Sequence, residues 1–82
     1  MNIWRMLDLR SALGRPQEGR LTDLYMSERQ GTRHEYQIGK FRKEGRKLWW
    51  ASAGGISDPV IMNRSYEIWW SYMDPCKIGG DL

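Results

Sequence analysis

The sequence predicts an α+β domain, a small antiparallel β-meander of about four strands with a short N-terminal helix. Three observations predict it. Stretches of alternating apolar and polar residues recur along most of the chain, the period that places successive side chains on opposite faces of a strand. Clusters of Gly, Pro and charged residues separate these stretches at intervals short enough for hairpins. The N-terminal segment has a different spacing, with Ile3, Met6, Leu7, Ala12 and Leu13 suiting one side of a helix over residues 2–13 that stops at Gly14 before Pro16; the alternative is an extended entry strand through Trp4.

The remaining elements follow in order. Arg15-Pro16-Gln17-Glu18-Gly19-Arg20 is turn chemistry. Leu21 to Ser27 reads as a strand in which Thr22, Leu24 and Met26 are the core side and Leu21, Asp23 and Tyr25 the other. A hairpin at 28–33 returns the chain as a strand from His34 to Arg42, with Tyr36 and Ile38 on a common face and Gly39 marking a bulge that re-aims Phe41. Lys43-Glu44-Gly45-Arg46 forms a tight turn into a third strand, Lys47 to Ala53. Gly54 to Pro59 breaks the pattern, and Val60-Ile61-Met62 is compatible with strand or loop. Tyr66 to Met73 is the last strand, ended by Asp74-Pro75, and Gly79 to Leu82 reads as a frayed tail.

Alternation divides the two Trp-Trp pairs. In the last strand Tyr66, Ile68, Trp70 and Tyr72 form an apolar row, which leaves Trp69 with Glu67, Ser71 and Met73. In the third strand Leu48 and Trp50 agree with a core face, which leaves Trp49 beside Lys47 and Ala51. If the two strands were neighbours, Trp49 and Trp69 would make an aromatic platform on the outer face. The competing expectation is that the N-terminal helix covers that face and makes both rings core.

Length and composition bound what this chain does. Its 82 residues make one domain, residues 1–82, because a chain this short cannot divide its burial between two cores. Five Trp, four Tyr and one Phe supply enough large apolar surface for a core without metals or disulfides. A charged fraction of 28% and a mean hydropathy of -0.71 argue against a membrane span. The opening residues lack a basic region, an apolar run and a cleavage site, so a cytoplasmic location is expected. Cys76 has no second cysteine to pair with and is expected to be inert. The net charge of +3 permits contact with phosphates without requiring it.

Catalytic chemistry is not expected. His34 lies alone between Arg33 and Glu35, the acidic residues are scattered singly, and no serine stands in a nucleophile elbow. Metal-ligand spacing and phosphate-binding glycine loops are missing from the sequence too, so no cofactor is implied. An enzyme would have to assemble residues such as His34 and Asp58 across a dimer. Lys40, Arg42, Lys43, Arg46 and Lys47 surround one turn and interleave with Phe41 and Trp49, the combination a nucleotide or single-stranded nucleic-acid site uses for phosphates and base stacking. The competing expectation is a solvated turn whose charges discourage edge aggregation.

Trp4, Pro16 and Gly19, the strand Leu21 to Met26, Tyr36-Gln37-Ile38-Gly39-Lys40-Phe41, Trp49, and Ile68 through Pro75 together resemble a family of small phage and bacterial domains of unknown function. Its members begin near a Trp, cross a Pro-containing turn and end in a Trp-Met-Pro-Leu-Pro-like segment. The resemblance implies a small β-domain in a phage or mobile-element setting and no particular mechanism. The expectation is therefore a non-enzymatic, phage-type accessory protein that binds and inhibits a host macromolecule, for example a bacterial defence component of the CRISPR type. Trp49, Trp69, Arg42, Lys43, Arg46 and Lys47 are the expected partner-binding residues. The alternative is a nucleotide or single-stranded nucleic-acid binder that uses the basic turn.

Overall fold

The computed structural model describes residues 3–73. Cys76, the Asp74-Pro75 stop and the expected C-terminal tail lie outside the described residues. Six strands, β1 (Arg5–Met6), β2 (Thr22–Glu28), β3 (His34–Glu44), β4 (Lys47–Ser52), β5 (Gly55–Ser57) and β6 (Tyr66–Tyr72), form one antiparallel sheet in the order β1-β6-β2-β3-β4-β5. One short helix, α1 (Pro59–Ser65), precedes β6.

This corrects the expected four-strand meander with an N-terminal helix. The last strand leaves the meander order by inserting between β1 and β2, where it aligns Trp70 with Leu24 and Ile68 with Met26. The N-terminal segment is a short strand followed by turns, with Arg5 opposite Trp70 and the Leu7 amide donating to the Ile68 carbonyl at 2.8 Å. Its apolar residues alternate: Met6 points outward and Leu7 is buried, so the β6 edge offers the segment a ladder that an isolated short helix cannot match.

The one helix falls where the sequence left strand or loop open. Asp58 caps it, its carboxylate accepting from the Val60 amide at 2.9 Å, and Pro59 occupies the first turn, where a missing N–H costs nothing. Lys47 adds an ion pair to Asp58 at 3.1 Å. That ammonium, followed by the Val60 amide, holds the Asp58 carboxyl below the usual carboxylate range. The stabilisation is complete above that range and is lost as the pH falls through the lowered value. Asp58→Ala is expected to lower the melting temperature by about 5 °C at neutral pH, and the two melting curves should converge in acid. A difference that persists unchanged below the carboxylate range would show that the cap and ion pair are not its source.

β3 organises the rest. Its first part, 34–39, pairs with β2, and its second, 39–44, pairs with β4; Gly39 alone has partners on both sides. The ladders pass through Gly39 without an extra residue, so it is a pivot and not the expected bulge. A Cβ at Gly39 would overlap the Ala51 carbonyl oxygen, which makes this close approach the reason for glycine. The inner sides of the two halves that meet at this pivot share one core of Leu7, Leu24, Met26, Phe41, Trp50, Ile68 and Trp70. Phe41 and Trp50 meet with ring centres 5.2 Å apart, and the Trp50 indole donates to Gln37 Oε1 at 2.6 Å.

Two segments close the inner side. The 8–17 loop receives the Trp70 indole N–H on the Gly14 carbonyl at 3.1 Å, and its Gln17 amide donates to the Tyr72 hydroxyl at 2.9 Å. At the other end α1 packs Met62 against the core, and Arg29 holds the helix terminus through the Asn63 and Ser65 carbonyls at 2.8 and 2.9 Å. Among the described residues all the cover lies on this side, and none forms a layer on the outer face of the sheet.

Candidate binding face

Strand alternation decides which side chains reach the outer face. Over the first half of the sheet these are Met6 from β1, Glu67, Trp69 and Ser71 from β6, Asp23, Tyr25 and Ser27 from β2, and His34, Tyr36 and Ile38 from β3. The register places Trp69 opposite both Met6 and Tyr25, and Tyr25 opposite Tyr36. The result is an aromatic row across β6, β2 and β3, continued by Met6 on β1.

The rings touch. Tyr25 and Tyr36 lie 5.0 Å apart, Tyr25 stacks on His34 at 5.6 Å with its hydroxyl 2.7 Å from His34 Nδ1, and Trp4 meets Tyr36 edge-on at 6.4 Å. Trp4 precedes Arg5 in the ladder and so stands beside Ser71, from which its ring crosses the face toward β3. Much of this row remains open: Tyr36 is 63% exposed, and Met6 and Ile38 are each 50% exposed. Contiguous apolar surface of this kind, without a covering layer, is what a partner surface looks like in a monomer.

The charge on this half is acidic. Its outward strand positions carry Asp23 and Glu67 and no Lys or Arg. Glu67 accepts from the Trp69 indole at 3.2 Å. Asp23 sits between Ser71 and Ile38 and has no hydrogen-bond or ion-pair partner among the described residues. Burial among these neighbours pushes its carboxyl above the usual range, so a cation arriving from outside would meet an ionisable group that no described residue satisfies.

The second half of the outer face has a different character. Arg42 and Trp49 are register partners, and with Glu44 and Ile56 they line a shallow hollow of about 260 Å³. Lys47 lies over the Trp49 ring, its Nζ 4.6 Å from the centre, while also paired with Asp58. Arg42 pairs with Glu44 at 3.7 Å.

Of the residues expected to bind a partner, Arg42, Lys47 and Trp49 therefore come together. Lys43 points to the opposite side of β3, and Arg46 lies in the β3–β4 turn. Trp69 faces outward like Trp49, but β2 and β3 separate their strands, and along β3 their levels differ by the six residues from Tyr36 to Arg42, about 20 Å of strand. The Trp49–Trp69 platform does not form. Nor does a helix cover the face, since the N-terminal segment contributes Trp4 and Met6 to it instead. Phe41, expected beside the basic residues as a stacking ring, is fully buried against Trp50.

Tyr25 lies on the side of its strand expected to face away from the core, whereas Trp4, Met6, Tyr36 and Ile38 belong to the face and were not assigned to it from the sequence. The signal was present for two of them: once Phe41 is core, the period of two forces Tyr36 and Ile38 outward. His34 and Asp58 are both engaged elsewhere, His34 with Tyr25 and Asp58 as the helix cap. Among the described residues no group of His, Cys, Asp and Glu is placed to hold a metal ion, and no helix is long and apolar enough to cross a membrane. Comparison of the chain with models of known protein families, with curated proteins and with solved structures finds no match. What defines this protein is the architecture itself, a small antiparallel β domain with one covered face and one aromatic, acidic face.

Proposed function

We propose that the protein is a non-enzymatic binding protein whose aromatic outer face occupies a surface on a protein partner and acts by occluding it. The contiguous row of Trp4, Tyr25, Tyr36 and Trp69 on an uncovered sheet face carries this reading. Interfaces concentrate their energy in Trp, Tyr and Arg at a water-excluding centre, and a standard interface asks for only about 800 Å² from each side. In the phage setting that the sequence resemblance implies, the partner is a host macromolecule, with a bacterial defence component as the class of target. Unpartnered Asp23 and the nearby Glu67 select a partner that brings a basic side chain, whose charge and flat head suit carboxylate and aromatic rings together.

The acidic centre sets this reading apart from nucleic-acid binding. Phosphates would be repelled at Asp23 and Glu67, one of the two rings expected to stack at the basic turn, Phe41, is buried, and two of that turn's cations already have carboxylate partners.

The test is affinity capture from nuclease-treated bacterial lysate with the wild-type chain, a Tyr36→Ala, Trp69→Ala double variant and Arg46→Glu, followed by titration of the captured protein. The double variant is expected to weaken binding at least about tenfold, and Arg46→Glu to leave it within about twofold. Binding that ignores the double variant, or that is lost with nuclease, refutes the assignment.

A further inference from the structure

Apart from its faces, the sheet has one long edge without a strand. β2 pairs with residues 34–39 of β3 and β4 with 39–44, so the β4-facing side of 34–38 has no ladder. The direction of the main-chain groups on that side follows from three hydrogen bonds. The Arg33 carbonyl accepts from Glu28, the Phe41 carbonyl accepts from Gly19, and the Lys43 amide donates to the Glu18 carboxylate, all toward β2. In an extended strand the N–H and C=O of one residue point to the same side and alternate along the chain, so odd-numbered residues of β3 serve β2. His34, Tyr36 and Ile38 therefore aim both main-chain groups at the side on which no strand among the described residues pairs with 34–38.

We propose that this edge is a pairing site for the same edge of a second copy, making a symmetric dimer through a sheet continuous across both chains. An antiparallel pair about a twofold axis at Tyr36 sets Tyr36 against Tyr36, His34 against Ile38, and Glu35 against Gln37. Each of His34, Tyr36 and Ile38 then gives and accepts one main-chain hydrogen bond across the axis. The pairing ends at His34 and Ile38, because β4 takes that side of β3 from Gly39 onward, and within 34–38 no like charges stand opposite one another. The Gln37 amide already donates to the Glu35 carboxylate at 2.9 Å within one chain, and the dimer offers the same pairing between chains.

Other centres fail. An axis at Ile38 would need the side of β3 that β4 occupies, and an axis at His34 would run into the 29–33 turn. The sheet's outermost strands are poorer templates, with two residues in β1 and three in β5. The 34–38 edge also lacks the Lys, Pro or bulge by which natural edges resist pairing, and its exposed Tyr36 and Ile38 favour it. Dimerisation would join the two Tyr36-centred rows into one platform, with a Trp4 and a Trp69 at either end. The inference rests on backbone direction and register, and stands apart from the identity of any other partner.

Sedimentation equilibrium of the full chain from about 1 to 300 µM tests it, since that range brackets the affinity of a short strand pair. Wild type is expected to dimerise within this range. Tyr36→Lys and Tyr36→Glu, at an exposed position, are each expected to associate at least about tenfold more weakly, because like charges would face each other at the axis. Mixing the two variants in equal amounts is expected to restore a one-to-one dimer. A second measurement needs no substitution: exchange of the His34, Tyr36 and Ile38 amides should slow as protein concentration rises, while that of the Ile56 amide stays constant. Wild type monomeric at the highest concentration, a dimer indifferent to both substitutions, or variants that do not associate on mixing would each overturn the proposal.

Discussion

Replacing Trp50 by alanine is expected to remove most of the folding free energy, while the same replacement at the adjacent Trp49 costs little. Trp50 is fully buried, packs its ring on Phe41 and donates its indole N–H to Gln37 in the other half of the sheet. Truncation leaves a cavity between the two halves and a Gln37 oxygen without its donor, a combination costing about 3–5 kcal/mol. A small domain has only about 5–15 kcal/mol in total. Trp49 lies half-buried on the outer face, where the loss of its contact with Lys47 is worth about 1 kcal/mol or less. Urea denaturation of the two variants checks the contrast. Comparable midpoints for Trp49→Ala and Trp50→Ala would mean that the two rings are not divided between face and core. Trp50→Phe is the informative intermediate, since it keeps most of the apolar volume and loses only the hydrogen bond and part of the ring.

That division was legible in the sequence because it depends on a local rule. Strict alternation needs no knowledge of which strands are neighbours, so it assigns Thr22, Leu24, Met26, Ile68, Trp50 and Trp70 inward and Trp49 and Trp69 outward. What alternation lacks is strand order. β6 pairs with β2 across the long stretch between Glu28 and Tyr66, and that pairing is decided by the fit of Ile68 and Trp70 against Met26 and Leu24. The sequence could not show that two strands lie between Trp49 and Trp69. The helix was legible but misread: Asp58-Pro59 is as good an N-terminal signal as it is a break, and only the apolar Met62 packing inward tells the two apart. The same non-local order hid the binding face, since Trp4 joins Tyr36 only after β6 and β2 have placed β1 beside them.

The charge distribution makes sense on this fold. A net charge of +3 permits contact with phosphates without requiring it; Lys40, Arg42, Lys43, Arg46 and Lys47 surround the β3–β4 turn, while the aromatic centre on the first half carries Asp23 and Glu67. Opposite signs at opposite ends of one sheet orient an approaching partner before contact, and the effect weakens with salt. Attraction at the aromatic end then favours a basic surface, which is the selectivity that overall charge alone conceals.

Gly39→Ala is the second substitution expected to have a large effect, for a reason unlike that at other glycines. Gly45 in the β3–β4 turn has φ 62°, and nothing lies within 4 Å of where its Cβ would be. Alanine there costs only the left-handed backbone, about 1–2 kcal/mol. At Gly39 the backbone is ordinary, and the obstacle is the neighbouring strand: an added Cβ overlaps the Ala51 carbonyl oxygen and comes within 2.9 Å of its carbon and 3.0 Å of the Ser52 Cα. These are main-chain atoms in a ladder, so they yield only if β4 moves. β3 holds both halves of the sheet at this residue, and moving β4 carries Trp50 away from Phe41 and Gln37. The expected loss is about 2–3 kcal/mol, the range for forcing extra volume into a packed site. Because the strain falls on the joint between the halves, unfolding should also become less cooperative, with tryptophan fluorescence and far-ultraviolet circular dichroism reporting different midpoints. A Gly39→Ala protein that melts with wild-type midpoint and coincident probes would show that the pivot has room to spare and that the close approach of Ala51 is not what requires glycine.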